Sequence, residues 1–194
     1  MEDFATFVQP REASFDGERV AEVGIGDGAL GAWLLANGAS HWTGIDISHR
    51  SIMDARSLLQ ARGHDEHEDF ELEESSSANL AMHTPDVILS FKTMQHFPSM
   101  RYTRHFLQSA ASSGARRLIF QWVGSCDTNT AMLDERCDDY DKDFQGARCK
   151  VSVGSVMAAV GTEFTLTWAE TGKLGYEDSV CNLWAGFSLR QHKE

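Results

Sequence analysis

Three glycines in alternation, directly after a short apolar run, constrain the fold of this chain more than any other feature of its sequence. Residues 19–23 (Arg-Val-Ala-Glu-Val) have the apolar character of a buried strand, and the run stops at Gly24, Gly26 and Gly28. Apolar residues then recur at helical spacing over 30–34. A glycine loop between a strand and a helix lets the backbone approach a ligand beside the free N–H groups of the helix start.

The alternation of apolar runs and helical patterns continues beyond this loop. Further elements are predicted as strands at 41–46, 70–72, 86–90 and 117–123 and as helices at 48–63 and 99–114. Ser48 and Ser99 are expected to cap these two helices. The first is expected to have an apolar face of Ile52, Ala55 and Leu59, and the second a face of Tyr102, Phe106 and Ala110. Strands that alternate with helices form a mostly parallel sheet with helices on both faces. After a helix around 153–160, the runs 163–168 and 182–189 follow with no helix between them, so they are expected to pair as an antiparallel hairpin.

Length and charge limit the classes of protein to consider. With 194 residues the chain is expected to form one domain over 19–194, preceded by an arm over 1–18 that contains Phe4, Phe7 and Phe15. The formal net charge of −12 argues against a nucleic acid partner, which would need a basic face. No run approaches the ~20 apolar residues that span a bilayer, so no membrane segment is expected.

The cysteines and the amino terminus indicate a compartment. The cysteines lie at 126, 137, 149 and 181, form no C-x-x-C and match no zinc-site spacing, so no metal is expected. The first residues lack the basic start and apolar stretch of a signal peptide. Reduced thiols and a cytoplasmic location are the simplest expectation.

The end of the second predicted strand supplies a carboxylate suited to a ribose. Asp46 follows the glycines by about 20 residues, the interval expected for an acid that accepts hydrogen bonds from ribose hydroxyls. The glycine loop, the helix after it and Asp46 therefore predict an adenosine-type ligand at the carboxyl edge of the sheet.

Two glycine patterns compete for the identity of that ligand. Gly26-x-Gly28-x-x-Gly31 satisfies the dinucleotide pattern, but Gly24 already ends the strand, which places Gly31 inside the helix. The pattern acid-x-G-x-G-x-G, running from Glu22 to Gly28, fits the predicted elements better.

The heptapeptide Glu22–Gly28, together with Asp46, resembles the class I S-adenosylmethionine-dependent methyltransferases. The resemblance extends from about Arg19 to Leu189 and is most specific over residues 19–48. It implies a Rossmann-like α/β fold with a mostly parallel seven-stranded sheet that ends in a C-terminal antiparallel hairpin. It also implies S-adenosylmethionine as the cofactor.

The resemblance implies cofactor-binding roles for particular residues. Gly24, Gly26 and Gly28 would pass under the methionine moiety, and Glu22 would order the loop or reach the amino group through water. Asp46 would hold the ribose hydroxyls.

Further implied contacts follow the second, third and fourth strands. Ile47 would pack against adenine, and Ser76 and Ser77 stand where the family often has an acid near the adenine amino group. Ser90 and Phe91 would approach the methionine portion by their backbone.

His96 is the candidate catalytic residue. It follows the fourth strand within Gln95-His96-Phe97, a segment similar to one in many small-molecule methyltransferases whose histidine lies close to the cofactor. A histidine near neutral pKa suits removal of a proton from an alcohol or ammonium acceptor. Ordering of the loop by hydrogen bonds is the alternative role.

An acidic stretch late in the sequence bears on the kind of substrate. Residues 127–143 hold seven acids around Tyr140, which would suit a cationic acceptor or form a solvated face.

The first expectation is an enzyme that methylates O or N of a small-molecule acceptor. A non-catalytic module that binds S-adenosylmethionine or S-adenosylhomocysteine is the alternative. A nicotinamide-dependent reductase is disfavoured by the glycine spacing and by the lack of Tyr-x-x-x-Lys.

Overall fold

The computed structural model describes residues 4, 8–12, 14–75, 80–125, 136–137, 149–173 and 180–190. The strands are β1 (Arg19–Val23), β2 (His41–Asp46), β3 (Phe70–Glu74), β4 (Val87–Ser90), β5 (Arg117–Ser125), β6 (Arg136–Cys137), β7 (Cys149–Lys150), β8 (Phe164–Lys173) and β9 (Val180–Leu189). The helices are α1 (Ala29–Ala36), α2 (His49–Ala61), α3 (Met100–Ala111) and α4 (Val153–Val160). Two 3₁₀ turns span Leu80–His83 and Met94–His96.

Seven strands form one sheet in the order β3-β2-β1-β4-β5-β9-β8. Strand β1 pairs in parallel with β2 and β4, and β2 pairs in parallel with β3. Strand β9 runs antiparallel to both β5 and β8. The predicted mostly parallel seven-stranded sheet with a C-terminal antiparallel hairpin is therefore confirmed.

The chain divides into two compact units. The first comprises Met1–Ser90 with Ser113–Arg116 and holds β1 to β4, α1 and α2. The second comprises Phe91–Ser112 with Arg117–Glu194 and holds β5 to β9, α3 and α4.

In the first unit, the strand register brings the functional strand ends to one edge. Glu22 of β1 is paired with Gly44 of β2, and Asp46 at the end of β2 is paired with Glu74 at the end of β3. Since parallel strands share a direction, the residues that follow β1, β2 and β3 leave from the same carboxyl edge.

Helix α2 begins where the sequence predicts. The Ser48 hydroxyl accepts a hydrogen bond from the Ser51 N–H at 3.3 Å, which satisfies one of the free donors of the first turn. The predicted apolar face of Ile52, Ala55 and Leu59 is buried.

In the second unit, α3 begins at a similar serine cap. Ser99 accepts from the Tyr102 N–H at 3.1 Å. Of the predicted face, Phe106 and Ala110 are buried and Tyr102 is half-buried. A row of aromatic rings continues from this helix to the sheet, with centroids 5.3 Å apart for Phe97–Phe106, 5.7 Å for Phe106–Phe120 and 6.1 Å for Phe120–Phe187.

The amino-terminal arm packs on α1. Phe4 and Phe15 are buried, and the Phe4 ring meets the Trp33 ring edge-on with centroids 5.1 Å apart. Phe7 lies outside the described residues. Within the described ranges, no helix has both the length and the apolar character needed to cross a membrane.

Candidate cofactor site

The glycine loop of the first unit adopts backbone conformations that favour glycine. The φ angles of Gly24, Gly26 and Gly28 are 82°, 56° and 77°. The Gly24 N–H donates to the Ile45 carbonyl at 2.7 Å, which ties the loop to the end of β2. A β-carbon on Gly28 would lie 2.7 Å from the Ala55 β-carbon, so this glycine also allows α1 and α2 to approach.

Gly26 is the open position of the loop. It is exposed, and apart from Gly26 and its two chain neighbours no described residue has an atom within 4 Å of the place where its β-carbon would stand. The backbone at Gly26 therefore has space above it for a ligand group.

Asp46 links this loop to the start of α2. One carboxylate oxygen accepts from the Gly26 N–H at 3.3 Å, and the other accepts from the Ser48 N–H at 2.8 Å. The acid is therefore held at the carboxyl edge by two backbone donors, while Ser48 caps the helix.

Glu22 is a buried carboxyl group directly before the loop. It is 3% exposed, and its Oε2 accepts a hydrogen bond from the Trp42 indole N–H at 3.1 Å. Burial raises the pKa of Glu22 to about 8, the Trp42 hydrogen bond opposes the rise, and the nearby Asp27 and Asp46 carboxylates add to it. Glu22 is therefore largely protonated at neutral pH, and it is not a solvated strand end.

Two further glycines lie where a side chain would overlap Trp42. A β-carbon on Gly31 of α1 or on Gly44 of β2 would overlap the Trp42 indole, which is fully buried. Gly31 lies inside α1, as the spacing predicts. The absence of a side chain at Gly31 lets α1 pack closely against the Trp42 side chain of β2.

The structure describes some, but not all, of the residues predicted to lie near adenine. Ile47, the residue directly after β2, is 73% exposed. Ser76 and Ser77 lie outside the described residues. Strand β3 ends at Glu74, whose carboxylate lies 2.7 Å from His49 Nδ1.

Ser90 ends β4 as a fully buried residue. Its hydroxyl donates to the Val23 carbonyl at 3.1 Å, which joins the ends of β4 and β1 just before the glycine loop.

The segment after β4 belongs to the second unit and carries Phe91 and His96. The Phe91 ring packs against Trp184 with centroids 5.3 Å apart, and the Thr93 hydroxyl donates to the Phe91 carbonyl at 2.8 Å. His96 ends a 3₁₀ turn, is exposed, and has its Nε2 at 3.3 Å from Gln95 Nε2. An exposed imidazole can accept a proton from a small molecule, and the Gln95 contact also fits a loop-ordering role.

Two residues with defined contacts were missed by sequence reasoning. Trp42 reads as an ordinary strand residue, although Gly44 two positions later on the same face is a signal that a large side chain needs space. Gln121 is fully buried within the apolar run of β5, and a lone amide in such a run is the only sign of its polar partners.

Comparisons with known proteins agree with this geometry. Residues 21–115 match the family model described as a methyltransferase domain. No curated protein matches the chain in sequence.

Solved structures share the fold at low sequence identity. A S-adenosylmethionine-dependent methyltransferase from Mesorhizobium loti is 16% identical with a TM-score of 0.68, covering 97% of this chain and 98% of its own. Magnesium protoporphyrin IX methyltransferase from Synechocystis PCC 6803, with bound SAH, is 18% identical with a TM-score of 0.63, covering 89% and 75%. The (4+2)-cyclase SpnF is 14% identical with a TM-score of 0.64, covering 90% and 76%.

The family-model match over residues 21–115 and the order of the strands thus confirm the predicted resemblance to the class I methyltransferases and the predicted fold. The predicted cofactor, S-adenosylmethionine, is the methyl donor of this family. Among the residues that the structure describes, no group of three or more His, Cys, Asp or Glu side chains could hold a metal ion.

Proposed function

We propose that this protein transfers a methyl group from S-adenosylmethionine to an oxygen or nitrogen of a small-molecule acceptor. The observation that carries the proposal is the contact between Asp46 and the Gly26 N–H at 3.3 Å. It brings a carboxylate and an open glycine backbone together at the carboxyl edge of β1 and β2, where open α/β sheets bind nucleotides.

The residues of the first unit fit an adenosine-containing cofactor. Asp46 offers carboxylate oxygens to ribose hydroxyls, Ile47 offers an exposed apolar face to adenine, and Gly26 leaves its backbone uncovered. We assign Gly24, Gly26 and Gly28 to the methionine side, with Ser90 and Phe91 approaching by their backbone. When bound, S-adenosylmethionine supplies a methyl group activated by its sulfonium charge.

Glu74 extends the adenine side of this proposal. The family often has an acid after the third strand, and Glu74 is the last residue of β3, paired in register with Asp46. Its carboxylate is half-exposed and can accept a hydrogen bond from an amino group. Ser76 and Ser77 keep their proposed adenine contacts.

Glu22 is the residue to which we assign the ordering of the glycine loop from its buried position near the end of β1. Because its carboxyl is largely protonated and holds the Trp42 indole N–H, it can donate its own proton to a neighbouring acceptor. We assign it the ordering of the glycine loop, with contact to the cofactor amino group through water as the second role.

His96 is the proposed base for acceptors that must lose a proton. Its exposure supports access by a small molecule. The net charge of −12 favours a neutral or cationic acceptor over nucleic acid. The seven acids of 127–143 and Tyr140, which suggest a cationic acceptor, all lie outside the described residues.

Methyl transfer is tested by following S-adenosylhomocysteine release from S-adenosylmethionine in the presence of a panel of small amines and alcohols. We expect release that depends on an acceptor, and a loss of about a hundredfold in kcat for His96→Gln. His105→Gln, an exposed histidine on α3 of the same unit, is the matched control and should keep full activity. Tight cofactor binding without acceptor-dependent release across the panel would favour the non-catalytic module.

A further inference from the structure

A fully buried amide, Gln121, connects the segment after β4 to the C-terminal hairpin within the second unit. Its Oε1 accepts a hydrogen bond from the Lys92 N–H, and its Nε2 donates to Asn182 Oδ1 at 2.9 Å. Both ends of the amide are therefore used by groups from two different parts of the chain.

The backbone that Gln121 holds is in an uncommon conformation. Lys92 has a φ of 53°, in the left-handed region that a residue with a β-carbon rarely adopts. Such a conformation persists only where the surroundings fix it, and the bond from the Lys92 N–H to a buried acceptor is one such constraint.

The neighbours of Gln121 complete the support for this segment. In the antiparallel pairing of β5 with β9, Gln121 lies directly opposite Trp184 and two pairs away from Asn182, which is on the same face of the sheet. Directly opposed side chains share a face of the sheet, and Trp184 packs against the Phe91 ring. The amide bonds and the ring contact therefore act on adjacent residues, Phe91 and Lys92.

We propose that Gln121 is a positioning residue that fixes the backbone of Phe91–Thr93, and through it the segment leading to His96, in the conformation needed to receive the methionine portion of the cofactor. The inference rests on the proposed function for the role of that segment. The anchoring itself rests on the contacts of Gln121 alone.

Position 121 must supply both an acceptor and a donor. The amide oxygen accepts from the Lys92 N–H, and the amide nitrogen donates to Asn182 Oδ1. Leucine has similar volume but can form neither of these hydrogen bonds. Because this position is fully buried, a glutamate here is expected to be neutral, so that one oxygen accepts from the Lys92 N–H and the hydroxyl donates to Asn182 Oδ1. Gln121→Glu should therefore retain the anchor.

The test compares Gln121→Leu, Gln121→Glu and the wild-type chain, with Thr103→Val as the control. Thr103 is also buried and polar in the same unit, but its hydroxyl donates to the Ser99 carbonyl at the start of its own helix and, among the described residues, to no other group. Hydrogen exchange at the Lys92 amide is followed by NMR on the ligand-free protein, and S-adenosylhomocysteine affinity is measured by calorimetry.

We expect Gln121→Leu to speed exchange at the Lys92 amide by about tenfold or more and to weaken S-adenosylhomocysteine binding about tenfold. Gln121→Glu should restore both to within about threefold of wild type. Thr103→Val should lower thermal stability while leaving the Lys92 amide and the affinity unchanged.

Unchanged Lys92 exchange in Gln121→Leu would overturn the anchoring. Faster exchange with unaltered affinity would overturn the positioning role, as would equal losses in Gln121→Leu and Thr103→Val. If the wild-type chain fails to bind S-adenosylhomocysteine, the proposed function fails, and Lys92 exchange still decides whether Gln121 anchors the segment.

Discussion

Glu22 is an acid whose ionisation opposes folding. Its pKa is raised to about 8 in the folded protein by burial, against 4.5 for an ordinary glutamate. The folded state therefore binds this proton more tightly than the unfolded state. The stability that results is fully present below about pH 4.5 and is lost as the pH rises toward 8.

We expect the free energy of unfolding to fall by about 2 kcal/mol from this group between about pH 6 and about pH 8. The measurement is urea denaturation at a series of pH values. Glu22→Gln, which keeps the acceptor for the Trp42 indole N–H, should flatten that part of the curve. Parallel pH profiles for wild type and Glu22→Gln would contradict a raised pKa for Glu22.

Gly31→Ala should be destabilising although alanine is the better helix former. An exposed helix position would gain about 1 kcal/mol from this change. Here the new β-carbon would overlap the Trp42 indole, so we expect a loss of about 1–3 kcal/mol by chemical denaturation. The loss of stability should be smaller in a Trp42→Leu background. A double-mutant cycle that shows no coupling between Gly31→Ala and Trp42→Leu would contradict the steric explanation.

The sequence predicts Glu22 as a site residue but does not predict that it is buried. The acid-x-G-x-G-x-G spacing is sufficient to single out Glu22 as a candidate site residue. Its burial depends on Trp42, and that contact is made by the pairing of β1 with β2. Contacts between neighbouring strands depend on register, which local sequence patterns do not specify.

The sequence predicts the starts of helices more accurately than the ends of strands. Ser48 and Ser99 cap α2 and α3 as predicted, because a serine before an apolar period supplies its own local signal. Strand β3 runs two residues further than predicted, to Glu74. Those residues carry no apolar signal, and it is pairing with β2 up to Asp46 that extends the strand.

The cap of α2 provides a matched pair of serines on one helix. Ser48→Ala removes the acceptor for the Ser51 N–H and should cost about 1 kcal/mol of stability. Ser57→Ala changes an exposed serine within the same helix and should be neutral or slightly stabilising. Thermal or urea unfolding measures both, and similar effects at Ser48 and Ser57 would speak against the cap.

For the whole molecule, the sequence predicts the sheet and its hairpin because the order of strands and helices limits the topology. The polar connections of the second unit were not predictable. Gln121 meets Asn182 only because β5 pairs with β9 across about 60 residues of intervening chain, an approach that no local pattern specifies.

The net charge of −12 should make the stability of the whole protein depend on salt. Raising NaCl from about 0.02 M to about 0.2 M shortens the screening length and weakens self-repulsion, so we expect the Tm to rise by a few degrees. Differential scanning calorimetry measures it, with choline chloride as a control for ionic strength. A Tm that falls or stays constant in both salts would show that self-repulsion is not a significant term.

Calorimetric titration with S-adenosylhomocysteine and NADH, on the wild-type chain and on Asp46→Ala, determines whether the glycine loop and Asp46 form the cofactor site. Asp54→Ala, which removes an exposed carboxylate from α2, is the matched control. We expect S-adenosylhomocysteine to bind wild type and Asp54→Ala alike, Asp46→Ala to weaken this binding at least about tenfold, and NADH not to bind. If NADH alone binds, or if Asp46→Ala binds S-adenosylhomocysteine as tightly as wild type does, the proposed site is wrong.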